Sequence, residues 1–307
     1  MISARVARWP EPLTPGARVA LVAPAGPLRG DEEFARASSN ARALGWEPVV
    51  AAHAHARTGY FAGDDATRLR DLTDAMHDRA IDGIWCLRGG YGAMRLLPDI
   101  DYDAFARAPK PVLGYSDITA LHAALWTRCG VITYHAPTAR QPLTGFSRDS
   151  IARAVTARED SCGIAADARI IRPGLAEGRL AGGNLAVLTA LCGTRFFPSL
   201  AGTILVLEDI NEAVYRVDRM LRQLLLAGAL DAVSAIAFGH CTSCSEESDD
   251  GARSLDEVLG EIADTLGVPC IAGIPVGHIP DQWTLPLGAA AELDVEARRL
   301  SVIAARQ

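Results

Sequence analysis

Short apolar runs alternate with helix-like segments along the first half of the chain, and this alternation constrains the fold more than any other feature. The strand-like runs cover residues 17–23, 47–52, 83–87, 112–116 and 131–134, and a clear helical stretch covers 65–79. Such alternation predicts a mainly parallel sheet covered by helices, of the flavodoxin or Rossmann kind. In these sheets functional groups gather beyond the carboxyl ends of the strands.

The second half carries further strand-like runs at residues 203–207, 232–238 and 268–274, and an alternating segment at 289–304 that is typical of a hairpin. Between the halves, over residues 141–173, proline, glycine and charges blur the pattern around one short helix expected near 150–156. We therefore predict an N-terminal α/β domain over 1–145, an interdomain connection over 146–175 and a C-terminal α/β domain over 176–307.

Charge and composition exclude several classes of function. The 307 residues are enough for two domains, and a net charge of -7 argues against a nucleic-acid or anionic-membrane partner. The first 15 residues lack the apolar core of a signal peptide, and no apolar run approaches the roughly 20 residues that span a bilayer. We expect a cytoplasmic protein with no membrane or nucleic-acid partner.

Seven cysteines, an odd number, are scattered along the chain. Most lie among apolar residues and are expected to be reduced. Cys241 and Cys244 have the Cys-x-x-Cys spacing of a zinc or redox site. A structural zinc needs about four ligands, however, and no second pair is present. We predict no metal, and a strand end and loop at this position.

A serine stands between a strand-like run and a helix-like one at residues 114–119 (GYSDIT). The helix is indicated by the apolar spacing of Ile118, Leu121 and Leu125. At such a corner the Ser116 hydroxyl is exposed beside the unpaired amides of the helix start, which can stabilise an oxyanion. The alternative is that Ser116 simply caps the helix, as serine often does.

A serine nucleophile needs a base and a group that orients the base. His278, in a loop bounded by glycine and proline just past a strand-like run, is the best candidate base, and His135 at another strand end is the alternative. The candidate acid is Glu208 or Asp209, because carboxylates at the end of an apolar strand are costly unless paired. Glu212 is the nearby competitor.

The turn at residues 89–92 (GGYG) lets the backbone approach a ligand closely. It lacks the spacing of a dinucleotide-binding fingerprint, and no Walker lysine is present, so a phosphate cradle is weakly supported. We interpret the turn as a second oxyanion donor beside the amide of Asp117.

These motifs together resemble the LD-carboxypeptidases, serine peptidases that remove the terminal D-alanine from cytoplasmic murein tetrapeptides and whose relatives include the microcin C immunity peptidases. The resemblance covers about residues 15–304. Its motifs, in the order of the family, are 59–65 (GYFAGDD) with Arg68, 88–92 (RGGYG), 114–119 (GYSDIT), 182–185 (GGNL), 207–209 (LED), 215–219 (YRVDR) and 277–278 (GH).

The resemblance implies a Ser-Glu-His triad, which carries over to Ser116, Glu208 and His278. The amides of Gly90 and Asp117 would be the oxyanion donors. The serine lies on the N-terminal domain and the other two residues on the C-terminal domain, so the active site is expected in the interdomain cleft. The choice between the two glutamates stays open.

The resemblance also implies a small peptide substrate, a role in peptidoglycan recycling, no cofactor and a homodimer. A carboxypeptidase needs a cation for the terminal carboxylate of its substrate, and Arg88 and Arg140 are candidates by position. Tyr91 is a further candidate for substrate binding.

Two departures from the family pattern leave the substrate open. Alanine replaces the usual glycine in His135-Ala136-Pro137. The loop after His240 is acidic and carries Glu246, Glu247, Asp249 and Asp250.

The sequence leaves three functions to weigh against that of an LD-carboxypeptidase. One is a microcin C-type immunity peptidase that cleaves peptidyl-nucleotides, and another is a noncatalytic two-lobe ligand-binding protein. An ordinary esterase is disfavoured, because Ile118 stands at the second glycine position of the Gly-x-Ser-x-Gly elbow.

Overall fold

The computed structural model describes residues 7–244 and 253–303, and within these ranges the chain forms two β-sheets with helices packed on them. The predicted fold class is confirmed: an α/β protein with an N-terminal parallel-sheet domain and a second sheet domain. No helix in these ranges is long and apolar enough to cross a membrane. The acidic residues Glu246, Glu247, Asp249 and Asp250 lie outside the described residues.

The first half of the chain alternates strands and helices. Its strands are β1 (Arg18–Val22), β2 (Glu47–Val50), β3 (Gly83–Cys86), β4 (Val112–Gly114) and β5 (Thr133–His135). Its helices are α1 (Asp31–Ala43), α2 (Asp65–His77), α3 (Ala93–Leu96), α4 (Tyr102–Arg107), α5 (Thr119–Cys129) and α6 (Gly145–Ile151), with a π-helical turn over Ala152–Ala157. Strands β3 and β4 are buried at every residue, which is why they appear as continuous apolar runs.

The second half has longer strands. These are β6 (Gly163–Ile164), β7 (Arg169–Arg172), β8 (Leu175–Asn184), β9 (Thr203–Ile210), β10 (Ala235–Thr242), β11 (Cys270–Ala272), β12 (Leu285–Leu287), β13 (Ala290–Asp294) and β14 (Arg299–Val302). The helices are α7 (Leu185–Ala190), α8 (Val214–Leu226) and α9 (Leu255–Leu266). The hairpin predicted near the end of the chain is the antiparallel pair of β13 and β14.

Sheet topology places the carboxyl ends of neighbouring parallel strands at the same edge of each sheet. The first sheet has the order β12-β5-β4-β3-β1-β2 and the second β6-β14-β13-β8-β9-β10-β11-β7. Pairing is parallel from β5 through β2 and again from β8 through β11. The carboxyl ends of β3 and β4 therefore lie at one edge of the first sheet, and those of β8, β9 and β10 at one edge of the second.

One strand crosses between the two halves of the chain. Strand β12 pairs antiparallel with β5, although it follows the parallel strands of the second sheet in sequence. The loop before β12 is fixed to α6, where the Ser147 hydroxyl donates to the carbonyl of Pro280 at 3.0 Å and accepts from the Gln282 amide at 2.9 Å. This loop begins at His278, so α6 holds it in place. The division of the chain at residues 145 and 176 stays a prediction.

Candidate active site

Ser116 occupies a sharp corner. The strand predicted over 112–116 ends earlier, at Gly114, and Ser116–Ile118 form a 3-10 turn that leads into α5. Ser116 has a φ of 63°, a left-handed conformation that a residue other than glycine adopts only where the surrounding structure enforces it. The sequence pattern placed the serine at the correct corner but did not show this backbone conformation.

The Gly89-Gly90 turn lies directly against the serine. A Cβ atom on Gly89 would stand 2.8 Å from the Ser116 Cβ and 3.0 Å from its Oγ, so only glycine fits there. Gly90 has a φ of 110°, which also favours glycine. No acceptor for the Gly90 amide is present in the described part of the chain. A free amide beside a serine hydroxyl can receive an oxyanion.

Asp117 stabilises the same corner from the inside. Its side chain is 3% exposed and accepts a hydrogen bond from the amide of Ala93, at the start of α3, with a length of 2.8 Å. Burial raises the pKa of this carboxyl to about 6, against the opposing effects of the Ala93 amide and the Arg68 guanidinium. Asp117 thus ties the serine corner to the segment that follows the glycine turn.

Glu208 and His278 are in direct contact. Glu208 lies near the end of β9, is fully buried, and its Oε2 is 2.8 Å from the His278 Nδ1. Its other oxygen, Oε1, has no partner among the described residues. The approach depends on Gly277, which has a φ of 126° and whose Cβ, if present, would stand 3.3 Å from the Glu208 Oε2. A buried carboxylate can hold the histidine in a single tautomer, with Nε2 free.

The two competing carboxylates are engaged elsewhere. The Asp209 carboxylate accepts from the Asn184 amide group at 3.0 Å and from the Ala186 amide at 2.9 Å, so it fixes the start of α7. Burial raises the pKa of Asp209 to about 6. Glu212 is 3.5 Å from the Arg216 guanidinium, in a pair at the protein surface. Of the three carboxylates, the structure brings Glu208 to His278.

His135, the alternative base, lies in the protein interior. It is fully buried on β5, and neither ring nitrogen has a partner among the described residues. Burial, with a smaller effect of the neighbouring His122, lowers its pKa to about 3. The ring is therefore neutral at physiological pH and closed to solvent, which leaves His278, with 17% of its side chain exposed, as the accessible histidine.

The three residues predicted to bind substrate lie around the glycine turn. Arg88 donates to the carbonyl of Pro27 at 2.6 Å, and Arg140 pairs with Glu33 at 2.7 Å. Burial and the nearby charge of Arg140 lower the pKa of Arg88. The Tyr91 ring is 49% exposed and packs on Phe61, with ring centroids 5.7 Å apart.

Sequence reasoning missed the residue that joins the two halves of the site. Tyr115 precedes Ser116, and its ring centroid is 4.8 Å from that of His278. Tyrosine before the serine stood in the quoted motif, but no sequence signal indicated a partner so distant along the chain.

The Cys-x-x-Cys segment is a disulfide in the structure, between Cys241 and Cys244. It lies at the end of β10, close to the candidate site, because the Thr242 hydroxyl donates to the carbonyl of His278 at 3.2 Å. Within residues 7–244 and 253–303 no cluster of three or more histidine, cysteine, aspartate or glutamate side chains is arranged to hold a metal.

Comparisons with known proteins agree with this architecture. Residues 19–136 match the LD-carboxypeptidase N-terminal domain, and residues 177–293 match the C-terminal domain. A putative carboxypeptidase of Synechocystis is 37% identical, with 96% of this chain and 97% of the relative covered. The murein tetrapeptide carboxypeptidase of Pseudomonas aeruginosa is 34% identical, with 90% and 93% covered.

A solved structure is similar over nearly the full length. The microcin self-immunity protein MccF in complex with aspartyl sulfamoyl adenosine superposes with a TM-score of 0.88 at 25% identity, covering 97% of this chain and 98% of that one. Fold and sequence matches together define a hydrolase of the carboxypeptidase class. The chain belongs to the LD-carboxypeptidase family, and the predicted resemblance is confirmed.

Proposed function

We propose that this protein is a serine LD-carboxypeptidase that releases the C-terminal D-alanine of murein tetrapeptide through Ser116, His278 and Glu208. The observation that carries the proposal is the contact of 2.8 Å between the buried Glu208 carboxylate and His278 Nδ1. The histidine also packs on the residue that precedes Ser116, which sits at a left-handed corner. A carboxylate that orients an imidazole beside a serine is the arrangement of a serine hydrolase triad.

The mechanism is acyl transfer through a covalent intermediate. His278 takes the Ser116 proton at Nε2 while the hydroxyl oxygen attacks the scissile carbonyl. The Glu208 carboxylate accepts the hydrogen bond that Nδ1–H of His278 donates, and it stabilises the imidazolium that forms. The amides of Gly90 and Asp117 receive the oxyanion, and His278 then protonates the departing amine of D-alanine. Water, activated by the same histidine, hydrolyses the acyl-enzyme. The proposal requires no cofactor.

The cationic side chains beside the glycine turn are suited to the terminal carboxylate of the substrate. Arg88 and Arg140 are neighbouring cations, Arg29 and Arg57 add positive charge nearby, and the Glu33 carboxylate opposes them. The surplus positive charge favours an anionic group of the ligand. Under this proposal, amidation of the terminal carboxylate raises KM in the wild type and changes KM much less in Arg88→Ala.

A second candidate is cleavage of peptidyl-nucleotides. The observation that favours it is the TM-score of 0.88 with MccF bound to aspartyl sulfamoyl adenosine. The catalytic residues and the reaction type would be the same, and the acyl group and the leaving group would differ. In either case we propose a cytoplasmic homodimer, and light scattering coupled to size-exclusion chromatography tests the dimer.

The experiment is mass spectrometry of the purified protein incubated with L-Ala-D-Glu-meso-diaminopimelyl-D-Ala, with Ser116→Ala as the matched control. Release of D-alanine by the wild type alone supports the proposal. No release by the folded wild type contradicts the murein substrate, and the same assay is then run with an aspartyl nucleotide conjugate. Equal release by Ser116→Ala would rule out the serine mechanism for both substrates.

A further inference from the structure

Tyr115 links the nucleophile to the base. It is the residue immediately before Ser116, it is 5% exposed, and its ring contacts two imidazoles. The His278 ring centroid is 4.8 Å away at an interplanar angle of 53°, and the His135 ring centroid is 5.8 Å away at 69°. The tyrosine ring therefore contacts two histidines, of which one is the proposed base.

The hydroxyl of Tyr115 is fixed at its other end. Gln141 Nε2 donates to it at 2.9 Å, and the orientation of this amide is set because Gln141 Oε1 accepts from the Thr138 amide at 2.9 Å. Burial raises the pKa of Tyr115 to about 12, so the phenol keeps its proton at neutral pH. The hydroxyl thus accepts from Gln141 and retains a proton to donate.

The loop that continues from His278 also approaches the Tyr115 hydroxyl. The Gln282 side chain lies near the Tyr115 hydroxyl, and its Oε1 is buried without a hydrogen-bond partner among the described residues. Gln282 is itself held in place, because its Nε2 donates to the Ile279 carbonyl at 2.9 Å. The tyrosine therefore contacts this loop twice, through its ring at His278 and through its hydroxyl near Gln282.

We propose that Tyr115 is a positioning residue that sets the distance and tilt of His278 relative to Ser116 across the domain boundary. The inference rests on the proposed function, since it concerns the alignment of the same serine and histidine. Nucleophile and base come from different sheets, and the rigid ring of the residue before the serine keeps them in register. A misplacement of about 1 Å at such a site lowers turnover about 10²-fold.

The test compares Tyr115→Phe, Tyr115→Leu and the control Tyr134→Leu, which removes another fully buried tyrosine ring from the core of the first domain. We expect Tyr115→Leu to lower kcat about 10²-fold with little change in KM, because alignment and not ground-state binding is lost. Tyr115→Phe retains the ring and should recover most of kcat. Tyr134→Leu should lower Tm while kcat at a permissive temperature stays near that of the wild type.

Two further readouts separate positioning from general packing. The limb of the pH–rate profile set by His278 should move in Tyr115→Leu and stay in Tyr134→Leu. The NMR resonances of the His278 ring protons should lose the ring-current shift caused by Tyr115. An unchanged kcat and an unchanged limb in a folded Tyr115→Leu would overturn the inference, as would equal kcat losses in Tyr115→Leu and Tyr134→Leu.

Failure of the proposed function gives a different pattern. A wild type that cleaves neither substrate and is not labelled at Ser116 by a fluorophosphonate contradicts the serine mechanism. The His278 ring resonances still report the Tyr115 contact in that case, because they need no substrate. Loss of the shift in Tyr115→Leu, with no labelling in the wild type, would identify the contact as structural and overturn the positioning role.

Discussion

Ser116 and its neighbouring amides come from consecutive strand–helix units of the first sheet. Glu208 and His278, by contrast, are 70 residues apart in sequence and meet only because the second sheet packs them together. The serine side is built locally: β4 ends, the chain turns, and α5 begins. The other side needs a carboxylate at the end of β9, a loop after β11 and a glycine that lets them approach. Local construction leaves a signal in the sequence pattern, and long-range construction leaves little.

The largest effects should come from direct removal of one group on each side. Ser116→Ala is expected to lower kcat about 10⁶-fold, because the nucleophile is lost. Glu208→Gln is expected to lower kcat about 10⁴-fold, because an amide no longer holds the His278 tautomer. Both are measured by steady-state D-alanine release. Glu212→Gln is the matched control, since its carboxylate pairs with Arg216 at 3.5 Å, and it should stay near wild type.

An opposite ranking of the two glutamates would contradict the assignment. Full activity in Glu208→Gln with a large loss in Glu212→Gln would mean that the Glu208–His278 contact is not used in turnover. The serine side of the comparison would stand unchanged, because Ser116→Ala is measured independently.

Glycine substitutions test how tightly the backbone packs against Ser116 and against the Glu208–His278 pair, and their expected effect on kcat is smaller. Gly89→Ala places a Cβ 2.8 Å from the Ser116 Cβ, and Gly277→Ala places one 3.0 Å from the His240 carbonyl oxygen at a φ of 126°. Displacements of this kind should lower kcat about 10²-fold in each variant. Gly145→Ala, which meets nothing within 4 Å, is the control and should retain wild-type kcat. Wild-type turnover in Gly277→Ala would show that the Glu208–His278 side tolerates movement.

The contrast explains what the sequence allowed us to predict. The alternation of apolar runs indicated the α/β class, and the corner at Ser116 and the turn at Gly89 followed from local signals alone. The choice among Glu208, Asp209 and Glu212 did not follow from the sequence. Glu208 and Asp209 are adjacent in a strand, where successive side chains point to opposite faces, and Glu212 lies just past the end of that strand. Glu208 faces His278 and Asp209 faces the start of α7, and only the packed sheet tells which face is which.

Other features depend on contacts that no local pattern encodes. Strand β12 joins the first sheet through β5, although only three residues, Leu285–Leu287, form it. The glycine-rich residues 178–184 form most of β8, and the pattern did not indicate a strand because glycine and asparagine are uncommon in strands. The pairing of Tyr115 with His278 likewise crosses between two sheets. Each is decided by the tertiary packing of segments that are distant in sequence.

Each side of the site also has one buried aspartate, and the two should give the same pH dependence of stability. Burial raises the pKa of Asp117 and of Asp209 to about 6, from an ordinary value of 3.8. Between these values the folded state binds more protons than the unfolded state, so these groups make stability fall as pH rises from about 4 to about 6. Asp117→Asn and Asp209→Asn, neutral at every pH, should each show a shallower fall in urea unfolding over this window.

The control for this experiment is Asp64→Asn. Hydrogen bonding to Thr67 lowers the pKa of Asp64, so its contribution is present above the ordinary value of 3.8 and is lost as pH falls. The difference between wild type and this variant should therefore grow as pH rises through values below 3.8 and change little from about 4 to about 6, whereas the two buried aspartates act within that window with the opposite sign. If the difference in unfolding free energy between wild type and variant changed with pH in the same direction for all three variants, the raised pKa values of Asp117 and Asp209 would be contradicted.

The smallest effect should come from the disulfide beside the Glu208–His278 side. Cys241 and Cys244 close a very short loop, so Cys241→Ser/Cys244→Ser should lower the free energy of unfolding by about 2 kcal/mol or less. The Asn211 amide still donates to the Thr242 carbonyl at 2.9 Å, which keeps Thr242 at the His278 loop, so kcat should stay unchanged. Urea unfolding and D-alanine release measure the two quantities, with Cys192→Ser as the free-thiol control.

Thiol titration decides whether that comparison is valid. Five cysteines, Cys86, Cys129, Cys162, Cys192 and Cys270, lie outside the disulfide, so denatured, unreduced protein should titrate five thiols and reduced protein all seven. Seven thiols before reduction would contradict the disulfide. Five thiols with a large loss of kcat in the double serine variant would mean that the end of β10 holds His278 through Thr242. The long-range side of the site would then depend on a covalent link that the serine side does not need.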